Sequence, residues 1–247
     1  MELKVLPGDE LEARKRSPVS WLFAAALLTV VIWQMPFGSL MLYPFTILAT
    51  WFHEMGHGLT ALLVGAEFKQ LLIFPNGSGV AYHTASGRLS GALVAVGGLL
   101  GPPIAGSLFI LSGRFAQRSR WVMGLLGLVL LASTVIWVRT PFGWVILPLT
   151  GFSLLLIASK GPDWLQKVVL QFLGVQACIS TYHQLDYLFM KQANIGGKPM
   201  LSDTGSIAKA LLLPYWFWGT SIALISFALL ASSLYIVSRR PAIAAKD

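Results

Sequence analysis

Long apolar segments follow one another through almost the whole chain, and they constrain its fold more than any other feature. Of the 247 residues, 55% are hydrophobic and 11% are charged, and the mean hydropathy is +0.70. An apolar helix of about 20 residues is long enough to span a bilayer. The sequence therefore predicts an all-α polytopic membrane protein with six to seven transmembrane helices. The predicted segments are residues 20–35, 40–65, 90–112, 120–138, 142–158, 164–190 and 214–237.

The chain has no polar linker long enough to separate two folded units, so we expect a single transmembrane domain over residues 20–238. A basic cluster, Arg14–Arg16, precedes the first apolar segment without a small-residue cleavage site, which favours a retained anchor helix and a cytoplasmic tail over residues 1–19. Residues 239–247 form the predicted C-terminal tail. The net charge of +8 fits basic residues that face anionic membrane lipids, and it requires no nucleic acid partner. We expect a multi-pass protein of a bacterial plasma membrane.

A five-residue pattern, His53-Glu54-Met55-Gly56-His57, lies inside the second apolar segment. Residues four apart on a helix lie about 40° apart around its axis, so the two imidazoles share one face. This spacing suits two ligands of a tetrahedral Zn²⁺, and Glu54 can act beside them as general base for a zinc-bound water. Such patterns also occur by chance in soluble helices. A charged side chain at mid-membrane, however, costs on the order of 3 kcal/mol and usually marks a functional site.

Two histidines leave a zinc ion short of ligands, and an acidic residue elsewhere is expected to complete the site. Of the acidic residues, only Glu54 and Asp186 lie within apolar segments. Asp186 also belongs to a polar stripe whose spacing keeps its members on one broad helical face. The members are Gln176, Ser180, His183 and Asp186. We predict Asp186 as the third ligand, with His183 as a ligand or a neighbour of the ligands. Asp203 is the alternative ligand, although the segment 201–204 also fits a helix N-cap.

A short β-hairpin is predicted directly after the histidine pair. Residues 68–74 and 80–84 are rich in strand-forming side chains, and they flank Pro75-Asn76-Gly77-Ser78-Gly79. Asn-Gly between two such runs is a strong signal for a tight hairpin turn. His83 lies at the end of this hairpin without an evident metal partner, and we interpret it as a polar loop residue.

In these features the chain resembles the site-2-protease-like intramembrane zinc metalloproteases, in particular their small bacterial-type members. The resemblance rests on the HEMGH pattern in a transmembrane helix, on Leu185-Asp186 in a later one, and on the hairpin between them. Residues 97–103, Gly-Gly-Leu-Leu-Gly-Pro-Pro, also resemble the small-residue helix of that family, which lies next to the site. Family members have Asn and Pro ahead of a Leu-Asp-Gly motif, whereas this chain has Gln176 and Tyr187 at those places.

The resemblance implies a function for each of these residues. The two histidines and Asp186 would bind Zn²⁺, and Glu54 would activate the water that attacks a peptide carbonyl. Gln176 would contact the substrate or steady the oxyanion. The implied substrate is a transmembrane or membrane-margin protein segment that must unwind, because the peptide bonds of a helix are shielded by their own hydrogen bonds. Pairing with an edge of the hairpin would hold such a segment extended.

Two other classes of function remain open from the sequence. The same intramembrane His, Glu and Asp residues would serve a zinc or proton-coupled transporter, in which they line a permeation path. A transporter would not require Glu54 next to the first histidine, and it would spread its ionisable residues over several helices. A protease-like binding scaffold without activity is the third reading, and the intact HEMGH pattern argues against it.

Overall fold

The computed structural model of the chain describes residues 20–84, 87–183, 185–195 and 198–239. The predicted tail over residues 1–19 and most of the predicted C-terminal tail lie outside the described residues. The first half contains α1 (Ser20–Trp33), α2 (Gly38–Met41), α3 (Tyr43–Leu63), β1 (Phe68–Ile73), β2 (Gly79–His83) and α4 (Arg88–Ser112). The second half contains α5 (Ala116–Ile136), α6 (Pro141–Lys160), α7 (Asp163–His183), α8 (Leu185–Leu188), β3 (Gln192–Ile195), β4 (Lys198–Leu201), α9 (Asp203–Leu211) and α10 (Tyr215–Ser238).

The prediction of a mostly helical membrane protein is confirmed. Within the described ranges, four helices are long and apolar enough to cross a membrane, namely α4, α5, α6 and α10. Helix α1 is apolar but shorter. Helices α3 and α7 have 21 residues each and are less apolar, because they carry the polar side chains discussed below. The count of six to seven crossings stays a prediction.

Helices α3 and α4 pack backbone against backbone, and this packing positions the histidine pair. Gly56 of α3 lies against the Gly97 carbonyl of α4, and a side chain added at Gly97 would meet Gly56 O at 2.9 Å. One turn further along α4, a Cβ atom at Gly101 would lie 2.7 Å from the Phe52 carbonyl oxygen. Small residues at such positions let two membrane helices approach closely. No side chain therefore separates α4 from the helical turns that carry the histidines.

The predicted hairpin is present and lies over α3. β1 and β2 pair antiparallel, with Leu71 opposite Ala81. The Leu71 amide donates to Trp137 O at 2.8 Å, and the Arg139 amide donates to Leu71 O at 3.0 Å, so the connection between α5 and α6 pairs with the outer edge of β1. The turn between β1 and β2 is held to α3 by Thr50, whose hydroxyl donates to Gly77 O at 2.6 Å. The hairpin is thus fixed on two sides, and no described strand pairs with the other edge of β2.

The apolar segment predicted over residues 164–190 contains α7 and α8. The structure describes α7 as far as His183 and α8 from Leu185, and residue 184 between them lies outside the described residues. Gln176 lies on α7 and Asp186 on α8. After α8 the chain forms a second hairpin, β3–β4, which sequence reasoning did not predict. This hairpin returns the chain to the start of α9.

Candidate metal centre

Helix α3 places His53 and His57 side by side, with their Nε2 atoms 3.1 Å apart. The helical spacing of four residues produces this arrangement, as the sequence predicted. The Nδ1 atom of His57 lies 2.9 Å from the Val94 carbonyl oxygen on α4. A carbonyl only accepts, so Nδ1 carries a proton, and Nε2 is the nitrogen that faces His53. Fixing the tautomer through a backbone carbonyl is the usual way in which proteins orient a metal-binding histidine.

Asp203 brings a carboxylate to the two histidines. Its Oδ2 atom lies 3.1 Å from His53 Nε2 and 3.3 Å from His57 Nε2. Asp203 is the first residue of α9, and the preceding Ser202 caps that helix by accepting the Gly205 amide at 3.0 Å. Because Ser202 performs the capping, the Asp203 carboxylate is free to face the histidines. The predicted helix N-cap and the alternative ligand are thus neighbouring residues with separate functions.

Tyr187 of α8 holds Asp203 in place. Its hydroxyl donates to Asp203 Oδ2 at 3.2 Å and accepts the Asp203 amide at 3.3 Å. The Tyr187 ring also meets the His53 ring edge to face, with centroids 6.2 Å apart. Burial alone would raise the pKa of Asp203, but His57 and His53 outweigh it and hold that pKa far below its ordinary value.

The donor set fits a zinc ion. His53, His57 and Asp203 form a group whose ligand atoms all lie within 4.8 Å of one another. In a tetrahedral site with bonds of about 2.0–2.1 Å, two ligand atoms are separated by roughly 3.3 Å. The three closest separations here are 3.1, 3.1 and 3.3 Å. Two imidazoles and one carboxylate leave one tetrahedral position open, as in catalytic rather than structural zinc sites.

Glu54 is buried beside the histidines, under the beginning of β2. A Cβ atom added at Gly79 would lie 2.7 Å from Glu54 Cγ, so only a residue without a side chain lets β2 approach the carboxylate this closely. The backbone amide of Ala81, also on β2, lies beside the same carboxylate. The hairpin therefore places an extended strand directly next to the predicted general base.

A cavity of about 1040 Å³ opens at this site. Its wall combines the metal-ligand group and Glu54 with the edge of β2, the first turns of α4, and α9. Two exposed basic residues, Arg88 and Lys209, also line it, and the Arg88 guanidinium donates to the Lys209 carbonyl oxygen at 2.9 Å. A cavity of this size is at the upper end of the range for small-ligand pockets and has room for several residues of an extended peptide.

Not every predicted site residue lies in this group. Asp186, our first choice for the third ligand, is exposed on α8 and is not part of this group. Gln176 is buried on α7, where its amide donates to Thr29 Oγ1 of α1 at 2.5 Å. It is not among the described residues that line the cavity. The side chain of His183 lies outside what the structure describes. His83, interpreted as a loop residue, lines the cavity at the end of β2.

The fold and the site define the class of protein: a helical membrane protein with a candidate metal centre between two of its helices. The Peptidase M50B-like family model matches residues 21–233, and the chain belongs to this family, the site-2-protease family of intramembrane metalloproteases. The resemblance drawn from the sequence is confirmed. No curated protein and no solved structure matches the chain.

Proposed function

We propose that this protein is an intramembrane zinc endopeptidase that hydrolyses peptide bonds of membrane-embedded or membrane-margin segments. The convergence of His53, His57 and Asp203 beside the buried Glu54 carries the proposal. Membership of the metallopeptidase family supports it. Asp203 takes the place that the sequence reasoning assigned to Asp186, because only Asp203 approaches both histidines within the described part of the chain.

Each residue has a separate task in this reaction. His53, His57 and Asp203 would hold the zinc ion, which when bound supplies the Lewis acidity that makes water nucleophilic at neutral pH. Glu54 accepts the proton of the attacking water and passes it to the amine that leaves, so that the proton balance of hydrolysis closes. Tyr187 keeps Asp203 oriented through its hydroxyl. The Val94 carbonyl does the same for His57.

We expect the substrate to bind at the free edge of β2 as an additional strand. Both backbone groups of Leu71 bond to the segment 137–139, and Ala81 is directly opposite Leu71. In an antiparallel pair, two residues that face each other either both bond across the pair or both point away from it. The amide and carbonyl of Leu71 point away from β2, so those of Ala81 point away from β1, to the outer edge of β2. A substrate segment that adds to this edge becomes extended and exposes its peptide bonds. It would then lie beside Glu54, whose carboxylate is next to the Ala81 amide.

This arrangement selects for a class of substrates rather than for one sequence. Backbone pairing does not depend on the side chains of the substrate. The main requirement is therefore that the substrate segment can leave the helical state near the membrane margin. We propose transmembrane proteins or peptides as substrates and membrane lipids as the surrounding partners. A bacterial plasma membrane remains our expectation for the location.

The first experiment uses the full chain purified in detergent or lipid nanodiscs. Bound zinc is measured by mass spectrometry for the wild type and for His57→Ala, Asp203→Ala, Asp186→Ala and Glu54→Gln. Cleavage of a library of transmembrane peptides is measured on the same samples. We expect about one zinc per chain in the wild type, and loss of zinc in His57→Ala and Asp203→Ala. Asp186→Ala is the matched control, because it removes an exposed carboxylate from the same region, and it should keep its zinc.

The Glu54→Gln variant separates a protease from the other candidate functions. It should retain zinc and lose cleavage, since the amide cannot accept the proton. A wild type with no stoichiometric zinc would reject the proposal in favour of a transporter or a scaffold. Zinc loss in Asp186→Ala together with retention in Asp203→Ala would return the third ligand to α8.

A further inference from the structure

Peptide hydrolysis places negative charge on the carbonyl oxygen of the scissile bond, and a preorganised hydrogen-bond donor lowers the barrier for that step. The residue that the sequence suggested for this task, Gln176, is bonded to Thr29 and is not among the described residues that line the cavity. The Tyr187 hydroxyl is in the cavity but donates to Asp203. Neither of these two side chains is therefore free to follow the substrate oxygen.

His83 lies in the cavity wall and meets this requirement. It is the last residue of β2, the strand proposed to pair with the substrate. Its ring lies nearly parallel to that of His57, at an interplanar angle of 24° and with centroids 6.2 Å apart. That separation is about two hydrogen-bond lengths. Both histidines line the cavity, so a substrate carbonyl that enters beside His57 also approaches His83.

One polar atom of His83, the ring nitrogen Nδ1, is buried. The Thr84 backbone lies beside the ring, yet in the described part of the chain no group has hydrogen-bond geometry with the buried Nδ1 atom. A buried polar nitrogen without a partner costs about 1–3 kcal/mol, and in native proteins such an atom calls for an explanation. This nitrogen is thus not committed to a described protein group, and the ring that carries it lines the cavity.

We propose that His83 is a further catalytic residue, whose neutral imidazole donates its N–H to the substrate carbonyl oxygen as that oxygen becomes negative. The inference rests on the proposed protease function. His83 keeps its proton throughout: the water proton goes to Glu54 and then to the leaving amine, while His83 contributes only a hydrogen bond. The contact strengthens as charge develops, so His83 acts on kcat more than on KM.

The test compares His83→Phe, which keeps a ring of similar size without a donor, with His83→Asn and His83→Gln. The two amides place a donor near the Nδ1 and Nε2 positions of the imidazole, respectively. Tyr82→Phe is the matched control, because Tyr82 is the neighbouring β2 residue and its side chain is 48% exposed. Bound zinc, kcat and KM on a transmembrane peptide, and the Kd of a phosphinic peptide that mimics the tetrahedral state are measured for each.

We expect His83→Phe to lower kcat about 10²- to 10³-fold with KM changed less than threefold, the range for removal of one such donor. Its zinc content should equal that of the wild type, and its Kd for the phosphinic peptide should weaken in parallel with kcat. One of the two amide variants should have a kcat at least tenfold higher than that of His83→Phe. Unchanged kcat in His83→Phe would overturn the inference, and so would loss of zinc in that variant. An equal loss of kcat in His83→Phe, His83→Asn and His83→Gln would also overturn it.

The same assay keeps this inference separate from the proposed function. If Glu54→Gln is inactive and His83→Phe is fully active, the protease proposal stands and the role of His83 is rejected. If Glu54→Gln cleaves as well as the wild type, the hydrolytic mechanism itself fails.

Discussion

Replacing Gly98 with alanine should remove zinc from the site without unfolding the protein. Gly98 is on α4, facing the His57 ring. An added Cβ atom would lie 2.6 Å from His57 Cδ2, and closer still to Cε1 and Nε2. Real Cβ contacts essentially never fall below 3.0 Å. The ring would therefore retreat by at least about 0.4 Å, and by more at Nε2, whereas ligand positions in metal sites are held within about 0.2 Å.

The ring has no alternative position that keeps both of its contacts. Rotating away from α4 breaks the 2.9 Å hydrogen bond from His57 Nδ1 to Val94 O, and it moves Nε2 out of the group formed with His53 and Asp203. Loss of an outer partner of a ligand typically weakens metal binding 10- to 100-fold. Displacing the ligand itself should weaken metal binding more than that, so we expect zinc affinity to fall at least about 100-fold.

Competition with a chelator series, read by the zinc retained per chain, measures this change. Gly91→Ala is the control: it is on the same helix two turns earlier, and an added Cβ atom there meets no atom within 4 Å. Both variants gain about 1 kcal/mol of helix propensity, so only the collision with His57 distinguishes them. Wild-type zinc affinity in Gly98→Ala would refute the close packing of α3 on α4 from which the effect is calculated.

Three further changes test other contacts of the site and its support. Tyr187→Phe removes the hydroxyl that orients Asp203, so zinc affinity should fall about 10- to 100-fold in the same chelator assay; an unchanged affinity would mean that the hydroxyl does not position the ligand. Gly79→Ala puts a methyl group 2.7 Å from Glu54 Cγ, so kcat should fall while bound zinc stays constant, and loss of zinc would contradict this assignment. Thr140→Val removes a hydroxyl that bonds β1 at 2.9 and 3.3 Å, which should cost about 1–3 kcal/mol and lower Tm by roughly 2–12 °C; a Tm equal to that of the wild type would count against the contact.

Local patterns predicted the parts of the structure that local chemistry determines. The histidine pair follows from its spacing on one helix, whatever surrounds it. The hairpin follows from its turn: Gly77 has a φ of 84°, which favours glycine, and the Asn76 side chain accepts the Ser78 amide at 3.1 Å. Four apolar helices of spanning length were likewise readable from hydropathy.

The third ligand could not be obtained in this way. The apolar run over residues 164–190 made Asp186 the expected intramembrane ligand, but the carboxylate that reaches the site follows a second hairpin later in the chain. Nothing local in residues 191–202 indicates that this hairpin returns α9 to α3. One signal was available: Ser202 is itself a good N-cap, which leaves the carboxylate of Asp203 without a local task.

The position of Asp203 after the α8–β3–β4 turn has a consequence for the order in which the protein acquires activity. A growing chain that contains the HEMGH helix and all of α4 to α7 has two histidines and the general base, but it has no described carboxylate to close the zinc site. If the site works as proposed, such a partial chain cannot yet hydrolyse peptide bonds. Binding of zinc would then fasten α9 to α3 and stabilise the bundle by mass action, so that metal loading and activity would be completed in one event.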